Sequence, residues 1–211
     1  MRPRIVLGLV GLMLILTGCD RILPRPGDPV VKVGLVAPFE GKYRDVGYDV
    51  IYSARLAIRE ANQERGPGQT KVALVAVDDF GSPESAQQMA RAMVIDPEVV
   101  AVIGHWRAET TAAAKSIYAA AGMPFVSAGQ SPFGATDPAA LDAGFLRAYE
   151  DVTPFDESAG PFAGTAYDGM QLILSALAEI EDSGSEINRA TVEETLQDYR
   201  YEGITGTVQS N

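Results

Sequence analysis

Residues 71–103 read KVALVAVDDFGSPESAQQMARAMVIDPEVVAVI, and their punctuation decides the fold. Residues 71–77 form an almost unbroken apolar run that stops at Asp78-Asp79. A run without polar alternation belongs to a strand covered on both faces. Ser82-Pro83-Glu84 then carries the marks of a helix start: a hydroxyl to cap, a proline for the first turn and an early acid. The helix is expected to reach about Val94, where Asp96-Pro97 closes it. Residues 99–103 form a second buried strand. Strand, helix and strand in so few residues imply a right-handed crossover between parallel neighbours.

The same rhythm extends in both directions. Upstream, residues 30–37 are apolar apart from Lys32 and Gly34, a further buried strand. Between about residues 47 and 63, Val50, Ile51, Ala54, Ala57, Ile58 and Ala61 recur at helical spacing, and Gly66-Pro67-Gly68 stops the helix. Downstream, a helix is expected from about Ala108 to Ala121, ended by Gly122, then a fourth strand over residues 124–127. The fold class is therefore α/β, a doubly wound parallel sheet. Residues 128–143 are rich in Gly, Pro, Ala and Asp and read as loop or short helix, and residues 145–149 read as extended. A long apolar helix over residues 159–180, another over 191–199 and a short last strand over 204–208 complete the chain.

The N-terminus has a different character. Arg2 and Arg4 precede an apolar run over residues 5–16 that ends in Leu16-Thr17-Gly18-Cys19. A basic start, about a dozen apolar residues and a small-residue site describe a secretory signal, and a spanning helix needs roughly 20 apolar residues. The ending resembles the lipobox of bacterial lipoproteins, in which the cysteine is acylated and becomes the new N-terminus. Cys19 is the chain's one cysteine. The resemblance implies a signal peptide over residues 1–18, a lipidated tether over 19–29, where Pro24, Pro26 and Gly27-Asp28 resist regular structure, and one domain over 30–211. It also implies an exported protein, held to the cell membrane by its lipid anchor and facing the periplasm or the cell exterior. The net charge of −11 argues against nucleic acid or an anionic membrane face as a partner.

Four stretches carry a wider likeness: VKVGLVAPFEG, VDDFGSPESAQQMA, VVAVIGHW followed by AGMPFVSAGQSP, and AGTAYDGMQLILSALAEI followed by YEGITGTV. Taken in order, they resemble the type I periplasmic binding proteins, specifically the leucine/isoleucine/valine receptors of ABC importers. That family has two lobes, and the chain leaves the first lobe after the fourth strand and returns later. Here Phe145-Leu146-Arg147 is similar to the outgoing hinge strand and residues from 159 onward to the return. About ten residues separate them, so the second lobe is expected to be missing.

In a doubly wound sheet, ligands sit at the carboxyl ends of the strands and at helix N-termini. That brings residues 39–43, 106–110 and 127–131 around one crevice. The resemblance implies hydroxyls and backbone N–H groups there for an amino acid's carboxylate and amine, with an aromatic cover. Ser131 fits one hydroxyl position and Gly129 the neighbouring backbone contact. Ala108 stands where the other hydroxyl is expected, with Thr110 close enough to substitute. Val46 stands in the place of an aromatic, which Tyr43 or Trp106 could supply. Arg107 and Glu109 add opposite charges suited to a zwitterion. The alternative reading is local: Glu109 favours a helix N-terminus, Thr110 and Thr111 cap it, and Arg107 is solvated.

His105, the single histidine, has no second metal ligand nearby in sequence and reads as a hydrogen-bonded loop residue. Asp78-Asp79 reads as a turn-ordering pair. With no phosphate loop, metal cluster or triad pattern, the sequence points to no catalysis, no metal and no cofactor. The expected function is a substrate-binding lipoprotein of a branched-chain amino-acid-type ABC transporter, reduced to one lobe and binding a small amino-acid-like solute weakly. Its partners would be that solute, an ABC permease or second protein chain, and the membrane through the anchor. The alternative is an envelope lipoprotein that no longer binds solute and docks on another protein.

Overall fold

Residues 27–66, 68–155 and 157–210 are described in a computed structural model, so Cys19, the signal segment and most of the tether lie outside the described residues. The elements run β1 (Val30–Ala37), α1 (Arg44–Glu64), β2 (Lys71–Asp78), α2 (Pro83–Ile95), β3 (Val99–Gly104), α3 (Ala108–Ala120), β4 (Phe125–Ser127), α4 (Ala143–Glu150), α5 (Ala163–Asp182), α6 (Arg189–Leu196), β5 (Arg200–Gly203) and β6 (Gly206–Gln209). The first four strands form one parallel sheet in the order β2-β1-β3-β4. Order reverses between β1 and β3, which makes that junction the switch point of the winding.

Each face of the sheet is covered by helices. On one side Val33, Leu35, Ile103 and Val126 pack under α1, α5 and α6 through Val50, Ala57, Met170, Leu177 and Val192. On the other, Val36, Val99 and Val102 pack under α2 and α3 through Ala90, Met93, Ala114 and Tyr118. Burial on both faces is why β3 is apolar along its whole length. The caps follow the sequence signals. Ser82 accepts from Ser85 N–H with Pro83 in the first turn, and Asn188 with Thr191 forms a reciprocal capping box on α6.

Three expectations change. Residues 145–149 are helical, not extended, and belong to α4. Asp142 caps that helix by accepting from Gly144 and Phe145 N–H. Phe145 and Tyr149, one turn apart, then bury together against Tyr52, Leu56 and Leu141. The long helix begins at Ala163 rather than at 159, because Asp49 of α1 holds the Gly160 and Phe162 N–H groups just before it. The last strand is half of an antiparallel hairpin, β5–β6, turning at Ile204-Thr205. Asp168 of α5 fixes that turn by accepting from both N–H groups and the Thr205 hydroxyl.

Candidate functional site

The carboxyl ends of β1, β2, β3 and β4 open at one end of the sheet, and Asp78 and Asp79 organise it. Asp78 Oδ1 accepts from Phe39 N–H at 2.9 Å and from Phe80 N–H at 2.7 Å, joining the loops after β1 and β2. Asp79 has no exposed surface. Its Oδ1 accepts from Gly81 N–H at 2.9 Å and its Oδ2 lies 2.8 Å from His105 Nδ1. His105 Nε2 lies 3.2 Å from the Tyr118 hydroxyl. Burial pushes the Tyr118 hydroxyl well above the usual tyrosine range, so it keeps its proton. The aspartate pair and the histidine are thus turn-ordering groups, and the histidine ties the loop after β3 to the loop after β2. The Thr111 hydroxyl donates to His105 O at 2.6 Å and tightens the same corner.

Above this frame sit the sequence candidates. The Arg107 guanidinium lies 3.8 Å from the centre of the half-buried Tyr43 ring, a cation–π stack. Gly81 makes room for both. Its φ is +64°, and a Cβ there would come within 2.7 Å of Tyr43 Cδ2 and 3.2 Å of Arg107 Cδ. Arg107 Nη2 also reaches Glu109 Oε1 at 3.3 Å. Arg107 is therefore stacked rather than freely solvated. Trp106 is buried in the main core beside Ala128 and Phe133. Gly129, with φ +75°, brings the β4 loop against it, for a Cβ there would lie 2.3 Å from Trp106 O. Gly129 N–H donates to Phe133 O. Thr110 is buried, and its hydroxyl donates to Arg107 O at 3.0 Å. Ser131 is exposed, and its hydroxyl has no hydrogen-bond partner among the described residues.

Tyr43 thus meets Arg107, and Trp106 meets Gly129, at this end of the sheet, with the Thr110 hydroxyl turned to the backbone. Two rim features escape the sequence reading. Phe80 is exposed at a φ of +52°, a strained setting for an aromatic residue. More telling are the buried side-chain polar atoms that lack a partner. Among the described residues these are Asp78 Oδ2, Trp106 Nε1 and Arg107 Nε, all from this end of the sheet. Buried polar groups are almost always paired, so these three atoms single out this end of the sheet as the candidate site. The only signal in the sequence is the Asp78-Asp79 pair at a strand end. No group of three or more potential metal ligands occurs among the described residues, and no described helix is long and apolar enough to cross a membrane.

A parallel sheet with helices on both faces and a switch point between β1 and β3 is a doubly wound α/β fold. A sequence profile described as periplasmic binding protein matches residues 30–142, and the chain belongs to that family. Among curated relatives, an amino acid binding protein of Pseudomonas aeruginosa is 26% identical over 188 residues, covering 83% of this chain and 47% of the relative. A Leu/Ile/Val-binding protein homolog of Brucella abortus is 29% identical over 134 residues, covering 64% of this chain and 34% of the relative. The chain therefore spans half or less of the length of these relatives. Among solved structures, a putative branched-chain amino acid ABC transporter protein from Rhodospirillum rubrum superposes with a TM-score of 0.70 at 17% identity, covering 85% of this chain and 95% of that one. The isoleucine complex of a branched-chain amino acid transporter substrate binding protein from Streptococcus pneumoniae gives 0.68 at 15% identity, covering 85% and 91%. At such identities these structures establish the fold.

Proposed function

We propose that this chain is the solute-binding lobe of an amino-acid-type ABC import system and not an enzyme. The observation that carries the reading is the set of unpaired polar atoms at the strand ends, Asp78 Oδ2, Trp106 Nε1 and Arg107 Nε. A small zwitterion complements them. Its carboxylate suits Arg107 and the free Ser131 hydroxyl, its ammonium suits Asp78, and Tyr43 and Trp106 wall its side chain. Amino-acid-binding relatives and the isoleucine-bound neighbour support the same class of solute.

In this reading residues 30–211 act as a single lobe, residues 19–29 tether it, and acylated Cys19 holds it on the periplasmic or outer face of the cell membrane beside a permease. One lobe leaves the ligand open to water, whereas tight sites bury about 70–90% of it. Affinity is therefore weak, on the order of 0.1–1 mM. The test is a thermal-shift screen of purified residues 20–211 against amino acids, amides and small carboxylates at millimolar concentration. A specific shift that Ser131→Ala abolishes supports the receptor. A cooperative melt that no solute moves refutes it.

One observation favours a second reading, an envelope module that docks on a protein instead. The Thr110 hydroxyl is engaged by Arg107 O, and Ala108 offers none, so the α3 end of the crevice has no free hydroxyl. A flat screen together with retention of a permease subunit by the immobilised lobe would select that reading.

A further inference from the structure

The parallel sheet stops at β4, and no described strand pairs with its outer side. Val102 N–H donates to Pro124 O at 2.9 Å and Ala128 N–H donates to Gly104 O at 2.9 Å. In a parallel ladder alternate residues face the neighbouring strand. Residues 124, 126 and 128 therefore face β3, and Phe125 and Ser127 turn their N–H and C=O groups to the open side. That side is a groove of about 820 Å³. Its floor includes Met123, Phe125 and Val126, and its walls are α3 and α6, which come from opposite layers of the fold. The edge is thus recessed between two helices.

The walls differ in chemistry. On the α3 side the groove is lined by the exposed Lys115 together with Tyr118 and Ala119. On the α6 side Leu196 is flanked by Glu193 and Glu194, both exposed and without an ion-pair partner among the described residues. Arg189 of the same wall cannot neutralise them. Its guanidinium is taken by the carbonyls of Val94, Asp96 and Val99 at 3.1, 2.6 and 2.9 Å.

We infer that this groove accepts an extended segment of another polypeptide as a fifth strand, with apolar side chains toward α3 alternating with lysine or arginine toward α6. The outward groups of Phe125 and Ser127 supply the ladder, as in other strand additions to a sheet edge. Long basic side chains lay their stems on Leu196 and Val126 and put their heads beside Glu193 and Glu194. A second copy of this chain fits poorly. Its own β4 is recessed between the same walls, and two-fold pairing sets one acidic α6 against the other. Open, unpaired edges are normally blunted or covered, and this one has walls shaped for a cover. The inference does not depend on solute binding in the crevice.

The probe is the peptide acetyl-Val-Lys-Val-Lys-Val-Lys-amide, with its Lys→Glu counterpart as control, titrated into the protein at 0.15 M salt and followed by amide NMR and hydrogen exchange. The expected result is saturable binding that slows exchange at Phe125 and Ser127 about tenfold. The double variant Glu193→Gln/Glu194→Gln should weaken it about three- to tenfold. Ser131→Ala in the crevice should leave it unchanged. Three results would overturn the proposal: peptide binding without protection of those two amides, equal binding of the glutamate peptide, or self-association that protects the same amides.

Discussion

Asp168→Ala tests how the C-terminal hairpin is held. Asp168 has no exposed surface and accepts from Ile204 N–H at 2.9 Å, Thr205 N–H at 2.8 Å and the Thr205 hydroxyl. Gly203 packs so closely that a Cβ there would lie 2.3 Å from the Asp168 carboxyl carbon. Burial raises the carboxyl's pKa above the usual aspartate value, and its three donors partly offset that. Alanine keeps the helix and deletes the acceptor. Each orphaned donor costs about 1–3 kcal/mol, but the turn is only half-buried, so the lower end applies. Losing a buried charge returns part of its desolvation penalty. The net expectation is a loss of about 2–3 kcal/mol, or roughly 4–12 °C in Tm for a domain of this size. Urea denaturation measures the first quantity, and hydrogen exchange at Ile204 and Thr205 shows whether the hairpin opens locally. If the variant unfolds within about 0.5 kcal/mol of the parent and those amides exchange at the parent's rate, Asp168 does not bolt the hairpin.

Three further predictions concern buried groups. Burial, reinforced by Asp45 and Glu157 and opposed by the Gly160 and Phe162 N–H groups, lifts Asp49 to about 6. The folded state then holds this proton longer than the unfolded chain, so the stability it contributes is complete below about pH 4 and is lost as pH rises through about 6. The span is at most about 2 kcal/mol after allowance for partial exposure. Asp49→Asn should flatten denaturation midpoints measured at half-unit steps across that window, and an unchanged slope would assign it to another group. His105→Leu leaves Asp79 buried without its partner and should cost about 3–5 kcal/mol, whereas Tyr118→Phe should cost about 1 kcal/mol. Equal losses in denaturant unfolding would show that the chain is not held at its Asp79 end. Gly129→Ala strains a positive φ and drives a Cβ into Trp106 O, so it should cost about 1–3 kcal/mol. It should also shift the emission of Trp106, the protein's only tryptophan, and a parent-like spectrum and midpoint would contradict the close approach.

The first four strands and three helices are legible because each local signal agrees with the global fold. Ser82-Pro83-Glu84 can only open a helix, and the unbroken apolar run at β3 can only be buried on both sides. Residues 145–149 fail that test. FLRAY reads as a short extended segment, and the resemblance to a hinge strand agrees with that reading. What decides the matter is tertiary. Asp142 caps the segment, and Phe145 and Tyr149 find Tyr52 and Leu56 of α1, some ninety residues earlier. The terminal hairpin escapes for the same reason, since its turn is set by a carboxylate on α5.

The grouping of the loops after β1, β3 and β4 is legible, because strand order alone puts them at one end of the sheet, but the chemistry there is not. Every strand end brings backbone N–H and C=O groups that must be satisfied first, and the side chains that do so are withdrawn from ligand duty. Asp78 gives one oxygen to Phe39 and Phe80 and keeps the other, Thr110 and Thr111 give their hydroxyls to Arg107 O and His105 O, and Ser131 gives nothing. No spacing rule foresees this division, because the donors and acceptors come from different loops and meet only when the sheet assembles. The same holds for Arg107, whose stack on Tyr43 exists because Gly81, on a third loop, has no side chain to block it. Under the proposed receptor reading, a solute would use what remains after the loops are satisfied. By that reasoning Ser131→Ala should weaken solute binding more than Thr110→Val, because only the first removes a hydroxyl that is free to turn toward a ligand. Titration of both variants by Trp106 fluorescence decides the matter, and a greater loss in Thr110→Val would reverse the assignment.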